Sequence, residues 1–226
     1  MRFHIDTIPV WDAYKTDSEC PICNLRRQSE DSYLAYFVGG SVMEPDERVR
    51  VNDIGFCVDH LAKLLALQQR LPLALMVHTH MMALIDRMKP PEPLKKHRMP
   101  FGKRSHEPEP GRCILCDRLN ETMERYVYTA VHLWKTDAEF RVVFERSKGL
   151  CMPHYVRLLQ MAEQAMSAAC FKDFCGILFA LQRENMRRVE KDLFGFTQKF
   201  DYRNRETPWG NSKDALERAI CKLRGK

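Results

Sequence analysis

Apolar residues recur along this chain with a helical period. Between Asn24 and Val42, Leu25, Tyr33, Tyr36 and Phe37 share a helix face, and Gly39-Gly40 weakens its end. Glu44-Pro45-Asp46 then begins a short helical turn or a loop. A second arm starts near Cys57 with Leu61, Leu64, Leu65, Leu67 and Leu71. Pro72 is expected to end or kink it before the pattern resumes over 74–88. Further helices are predicted over 118–134, 137–146, 152–169 and 171–196, and Asn211-Ser212 can cap a last one over 213–223. No segment alternates with a strand period over a useful length, so the predicted fold class is all-α.

The chain also repeats itself. Cys20-Pro-Ile-Cys23 is matched by Cys113-Ile-Leu-Cys116 at an offset of 93, and Gly55-Phe-Cys57-Val-Asp-His60 by Gly149-Leu-Cys151-Met-Pro-His154 at 94. Tyr33 pairs with Tyr126 and Leu64-Leu65 with Leu158-Leu159, so the match extends into the expected core. The sequence therefore divides into a first helical unit over 1–88, a basic Pro-rich linker over 89–112, a second helical unit over 113–196, and a C-terminal segment over 197–226. That last segment carries Phe200, Tyr202 and Trp209 and is expected to pack back on the helices, giving two metal-knotted helical hairpins in one bundle.

The repeated residues carry the chemistry. A CxxC pair at a helix start lets two sulfurs reach one ion, where the exposed N–H groups and the helix dipole favour thiolates. A CxxH pair lies on one helical face, so its sulfur and imidazole can complete a tetrahedron. Three thiolates and one neutral imidazole suit zinc, and eight ligands imply two Zn2+ per chain. Completing each site within its own copy would place Cys20, Cys23, Cys57 and His60 on one ion, and Cys113, Cys116, Cys151 and His154 on the other. Haem attachment is excluded because Asn24 and Asp117, not histidine, follow the CxxC pairs. His78 and His80 point about 200° apart on a helix and share no ligand face. Cys170, Cys175 and Cys221 read as core or interface residues.

Composition narrows the class. The chain has 226 residues, 45% of them hydrophobic and 29% charged, which is globular rather than disordered. Its apolar runs fall short of the roughly 20 residues of a membrane span, and the start lacks a signal-peptide core, so a cytoplasmic protein with reduced thiols is expected. The formal charge is +6. Two dications add four charges and six thiolates remove six, leaving a mildly basic chain. Lys95, Lys96, His97, Arg98, Lys103 and Arg104 read as a solvated basic linker before they read as a nucleic-acid site. No phosphate loop, HExxH or GxSxG occurs in a suitable context, so no catalytic role is expected.

Asp192-Leu-Phe-Gly-Phe-Thr-Gln-Lys-Phe-Asp-Tyr-Arg-Asn204 and Pro208-Trp-Gly-Asn-Ser-Lys-Asp-Ala-Leu-Glu-Arg-Ala-Ile220, with the two ligand units, resemble a bacterial family of uncharacterised all-helical proteins of this length. Ile114 stands where the CPxC form has Pro21, and both sulfurs remain. The resemblance implies the metal and the boundaries and no activity. The functional expectation is an interaction or adaptor module with another protein as partner, held by structural zinc. A thiol-based redox or metal sensor is the first alternative, and a nucleic-acid binder using the linker is the second.

Overall fold

The computed structural model describes residues 3–88, 112–204 and 206–225, and among them the protein is all-helical. In chain order the helices are α1 Phe3–Lys15, α2 Pro21–Phe37, α3 Pro45–Ile54, α4 Val58–Ala66, α5 Arg70–Arg87, α6 Ile114–Thr136, α7 Ala138–Arg146, α8 Met152–Ala165, α9 Ala168–Gln198 and α10 Ala215–Arg224. Short 3-10 turns lie at Gly40–Met43, Tyr202–Asn204 and Gly210–Ser212. The basic residues Lys95 to Arg104 of the expected linker lie outside the described residues.

Two compact units form, and they cut across the repeated segments. One comprises Met1–Gln28 with Glu121–Lys226, and the other Ser29–Asn120, so the divisions fall inside α2 and α6.

In the first unit the core is aromatic. Trp11 meets Phe140 edge-on at 5.2 Å, Tyr14 stacks on Phe144 at 5.5 Å, and Trp134 meets Phe174 edge-on at 4.8 Å. Each such pair adds about 1 kcal/mol beyond its buried area. The first two of these contacts seat α1, which the sequence pattern did not reveal. Asp137 caps α7 by accepting from the N–H groups of Glu139 (2.9 Å) and Phe140 (3.1 Å), satisfying two donors that have no partner inside the helix. α10 packs on α9 and α8, burying Ala215, Ala219 and Lys222, while Arg218 pairs with Asp192 at 2.8 Å. The rings of Phe200 and Trp209 meet Phe196 at 5.5 and 5.9 Å, although Phe200 and Tyr202 stay largely exposed. α10 begins after Asp214, not at the expected Asn211-Ser212 cap.

In the second unit Leu34, Phe37, Val51, Leu64 and Met76 form the buried cluster. The Arg118 guanidinium lies over the Tyr36 and Phe37 rings and pairs with Glu47. Pro45 starts α3, where its fixed φ suits the first turn. The break between α4 and α5 falls at Gln68, in the left-handed region at φ 60°, and not at Pro72. Pro72 instead occupies the first turn of α5, where a missing N–H breaks no helical bond.

Gly55 and Gly149 end the segments that deliver Cys57 and Cys151, at φ 74° and 72°. A Cβ at Gly55 would stand 2.5 Å from His80 Nε2, so both conformation and space require glycine there. His80 is fixed by a 2.9 Å hydrogen bond between Nδ1 and the Asn52 carbonyl. Gly55→Ala should lower stability by about 1–3 kcal/mol, read from the urea midpoint. In a His80→Ala background the same substitution should cost less but still be destabilising, because the positive φ remains. Equal urea midpoints for wild type and Gly55→Ala would contradict this account.

Candidate metal centres

Four ligand pairs share one local geometry. Cys20, Cys57, Cys113 and Cys151 each sit just before a helix, and each carbonyl accepts the first helical hydrogen bond, from Asn24 (3.3 Å), Leu61 (2.9 Å), Asp117 (3.0 Å) and Tyr155 (2.8 Å). The partners Cys23, His60, Cys116 and His154 stand three residues later in the first turn. The N-cap side chain of a helix naturally faces the third helical position, so this spacing brings each pair together above a positive helix end.

Each unit joins two such helix starts. In the first unit, Cys20, Cys23, Cys151 and His154 bring three sulfurs and one ring nitrogen within 4.8 Å of one another, and in the second unit Cys57, His60, Cys113 and Cys116 do the same. In the first centre the Cys151 sulfur lies 3.7 Å from Cys20 and 3.6 Å from Cys23, while His154 Nδ1 lies 3.5, 3.4 and 3.1 Å from Cys20, Cys23 and Cys151. In the second centre His60 Nδ1 lies 3.2, 3.3 and 3.3 Å from Cys57, Cys113 and Cys116, and the Cys57 and Cys116 sulfurs are 3.9 Å apart. Either group can hold a metal ion.

All eight expected residues therefore converge, but their pairing is exchanged. The expected sets of Cys20, Cys23, Cys57 and His60, and of Cys113, Cys116, Cys151 and His154, do not form. The CxxC of each copy meets the CxxH of the other. The reason is the length of the helix after each CxxC. α2 runs on from Cys23 to Phe37 and α6 from Cys116 to Thr136, so the segment returning with His60 meets the side of α2 at Glu30 rather than its start.

Residues that the sequence did not single out hold the ligands in place. At the second centre His60 Nε2 lies 3.0 Å from the Glu30 carboxylate, which also takes Lys63 at 2.6 Å. With Nδ1 turned to the sulfurs, Nε2 carries the proton and donates it to Glu30, which fixes the ring and its tautomer. Burial opposes ionisation of Glu30, but Lys63 and His60 together hold its carboxyl below the usual range. Ile114 N–H donates to the Gly55 carbonyl at 3.0 Å, tying the two arms of this centre by backbone.

At the first centre the supports differ. Gln182 holds Leu150 at both backbone groups, accepting from N–H at 2.9 Å and donating to the carbonyl at 2.8 Å, directly before Cys151. Lys222, almost wholly buried, donates to the carbonyls of Glu19 (2.7 Å) and Lys148 and pairs with the Glu19 carboxylate at 3.2 Å. One ammonium thus fastens the chain ahead of Cys20 and ahead of Cys151, and its acceptors offset the cost of burying a charge. Burial lowers its pKa while Glu19 opposes the shift.

The thiols hold their protons collectively. Hydrogen bonds to Cys151, Cys20 and Cys221 lower Cys23, and burial raises Cys20. Burial and its neighbouring thiols push Cys116 up to about 12. His154 is raised to about 9: burial opposes its charged form, and the Cys151 and Cys23 sulfurs outweigh that. Such a set releases protons when a cation arrives.

The profile of a family of unknown function, DUF6062, matches residues 1–226. The chain belongs to that family. No curated protein and no solved structure matches it.

Metal counting tests the exchange. Cys20→Ser and His154→Ala should each cost one bound ion, and the double variant still one, whereas Cys20→Ser with His60→Ala should cost two. Loss of two ions from the first double variant would restore the unexchanged pairing. Glu30→Gln should weaken the second centre about 10–100-fold and spare the first, as competition with a chelator would show. Because the Glu30 pKa is lowered on folding, its contribution is present at neutral pH and disappears as acid carries the pH below that lowered value. Chemical denaturation of wild type and Glu30→Gln should therefore converge in acid.

Proposed function

We propose that this protein is a non-catalytic helical adaptor whose two units are each clamped by a structural zinc ion. The observation that carries the reading is the ligand spacing. Zinc with bonds of about 2.3 Å to sulfur and 2.0–2.1 Å to nitrogen separates tetrahedral ligands by about 3.8 Å between sulfurs and about 3.5 Å from sulfur to nitrogen. Three of the sulfur pairs here lie 3.6–3.9 Å apart, and the sulfur-to-nitrogen separations are 3.1–3.5 Å. Three thiolates with imidazole favour zinc over harder cations. Each group supplies four protein ligands, which is the closed set of a structural site rather than the open set of a catalytic one.

Helix α5 supports the adaptor role. Leu73, Met76 and Val77 face the core of its unit, while Leu71, Leu75, His78, Met82 and Ile85 follow a spacing of four, three, four and three along the opposite side. The four apolar members of that stripe are 38–70% exposed. A helix that is apolar on two faces is built to be covered on both. The heptad spacing over two turns of the repeat fits an apolar helix of a partner protein laid lengthwise.

Protein purified without added metal should contain two zinc ions per chain by elemental analysis, and chelation should lower its melting temperature. Leu75→Lys with Met82→Glu should abolish capture of a helical partner in pull-down while zinc content and melting temperature stay at wild-type values. Metal-free protein carrying freely titratable thiols would overturn the zinc reading, and undiminished capture by the α5 variant would overturn the docking face.

A further inference from the structure

The first centre holds a fifth thiol. Cys221 is buried in the last turns of α10, whose end lies against the Cys23 and Cys151 sulfurs. Cys221 lies outside the four-ligand group, and the Cys3His set is complete without it. α10 is held at this spot by its neighbours, since Lys222 is pinned to Glu19 and Lys148, and Arg218 to Asp192 and Asp214. After α10, Gly225 closes over the sulfurs: a Cβ there would lie 3.4 Å from both Cys23 and Cys151. A groove of about 250 Å3 opens onto Cys20, Cys23 and Cys221, with Arg27 and Arg218 on its rim. A small reagent thus has a route to ligand sulfurs that share their groove with a spare thiol.

The second centre has no such arrangement. The only cysteines of Ser29–Asn120 are Cys57, Cys113 and Cys116, all of them ligands. The two centres therefore present the same ligand set with and without a partner for disulfide formation.

From this placement we infer that Cys221 is the resolving thiol of a hydroperoxide-sensitive switch at the first centre, forming a reversible disulfide with Cys23 and releasing that centre's metal ion. The inference rests on the metal-binding reading above and assigns a chemical response to one of its two sites. The Cys23 thiolate attacks a hydroperoxide oxygen; the S–O bond forms, the O–O bond breaks, and the leaving oxygen departs as water or alcohol after taking a proton. Cys221 then attacks the Cys23 sulfur. The S–S bond forms, the S–O bond breaks, and the hydroxide leaves as water with the Cys221 proton, so two sulfurs supply the two electrons that the hydroperoxide accepts. Cys23 is lost as a ligand, and Cys20, Cys151 and His154 alone hold the ion more weakly.

The test uses the full chain loaded with two zinc ions, treated with hydrogen peroxide, and read by a zinc-binding dye and by mass spectrometry of unreduced digests. The wild type should release one ion of two, yield a Cys23–Cys221 linked peptide, and recover the ion after dithiothreitol. Cys221→Ser and Cys221→Ala, checked for folding by circular dichroism, should lose the linked peptide and slow release at stoichiometric peroxide by about tenfold. Cys170→Ser should behave as wild type. Release unchanged in the Cys221 variants, a Cys20–Cys23 disulfide in place of the expected one, or equal loss from both centres would overturn the inference. The failure of the zinc reading is separate: protein that never binds zinc can still be scored for the Cys23–Cys221 peptide.

Discussion

The molecule depends on one local constraint, a ligand at a helix N-cap facing a second ligand in the first turn. A helix start offers unpaired N–H groups and the positive end of the dipole, so it favours the thiolates that form as a cation displaces their protons. Two starts turned toward each other supply four ligands, and the same device recurs in both units. The left-handed glycines Gly55 and Gly149, the amide clasp of Gln182 and the buried ammonium of Lys222 all bear on the short approaches to these helix starts.

The two centres share ligands and differ in surroundings. At the second centre a carboxylate and a lysine set the histidine ring, and the ligands are the only thiols in the unit. At the first centre a buried ammonium, a closing glycine and an extra thiol surround the sulfurs. The position matching Glu30 at the CxxC offset is Met123, so the carboxylate support has no counterpart in the other half of the sequence. The same ligand spacing thus stands in two different surroundings.

Most of the helices and the eight clustered residues were legible because each has a signal inside a short window: a 3.6-residue period or a three-residue spacing of Cys and His. The pairing was not, since local spacing is identical in both arrangements. Loop closure barely separates them, for lengthening a loop fourfold costs only about 1 kcal/mol. α1 leaves no clear helical signal because Pro9 stands inside it and its apolar residues fall in no clean stripe. Glu30, Gln182 and Lys222 could not be found either, because a polar residue on a helix carries no mark of which distant backbone or ring it will meet. Pro72 misled for the opposite reason: the signal was strong but it marked the start of a helix instead of its end.

The exchanged pairing also orders the assembly of the chain in time. The second centre closes over sequence separations of 53 to 59 residues, whereas the first joins segments 128 to 134 residues apart, and the inner loop lies wholly within the outer one. A chain emerging from the ribosome presents every ligand of the inner clamp once Cys116 is out, while Cys20 and Cys23 wait for His154. Domains completed early during synthesis fold early. The helix start made first is thus the last to be satisfied, and the thiol pair of Cys20 and Cys23 in a nascent chain remains unclaimed until His154 has been made.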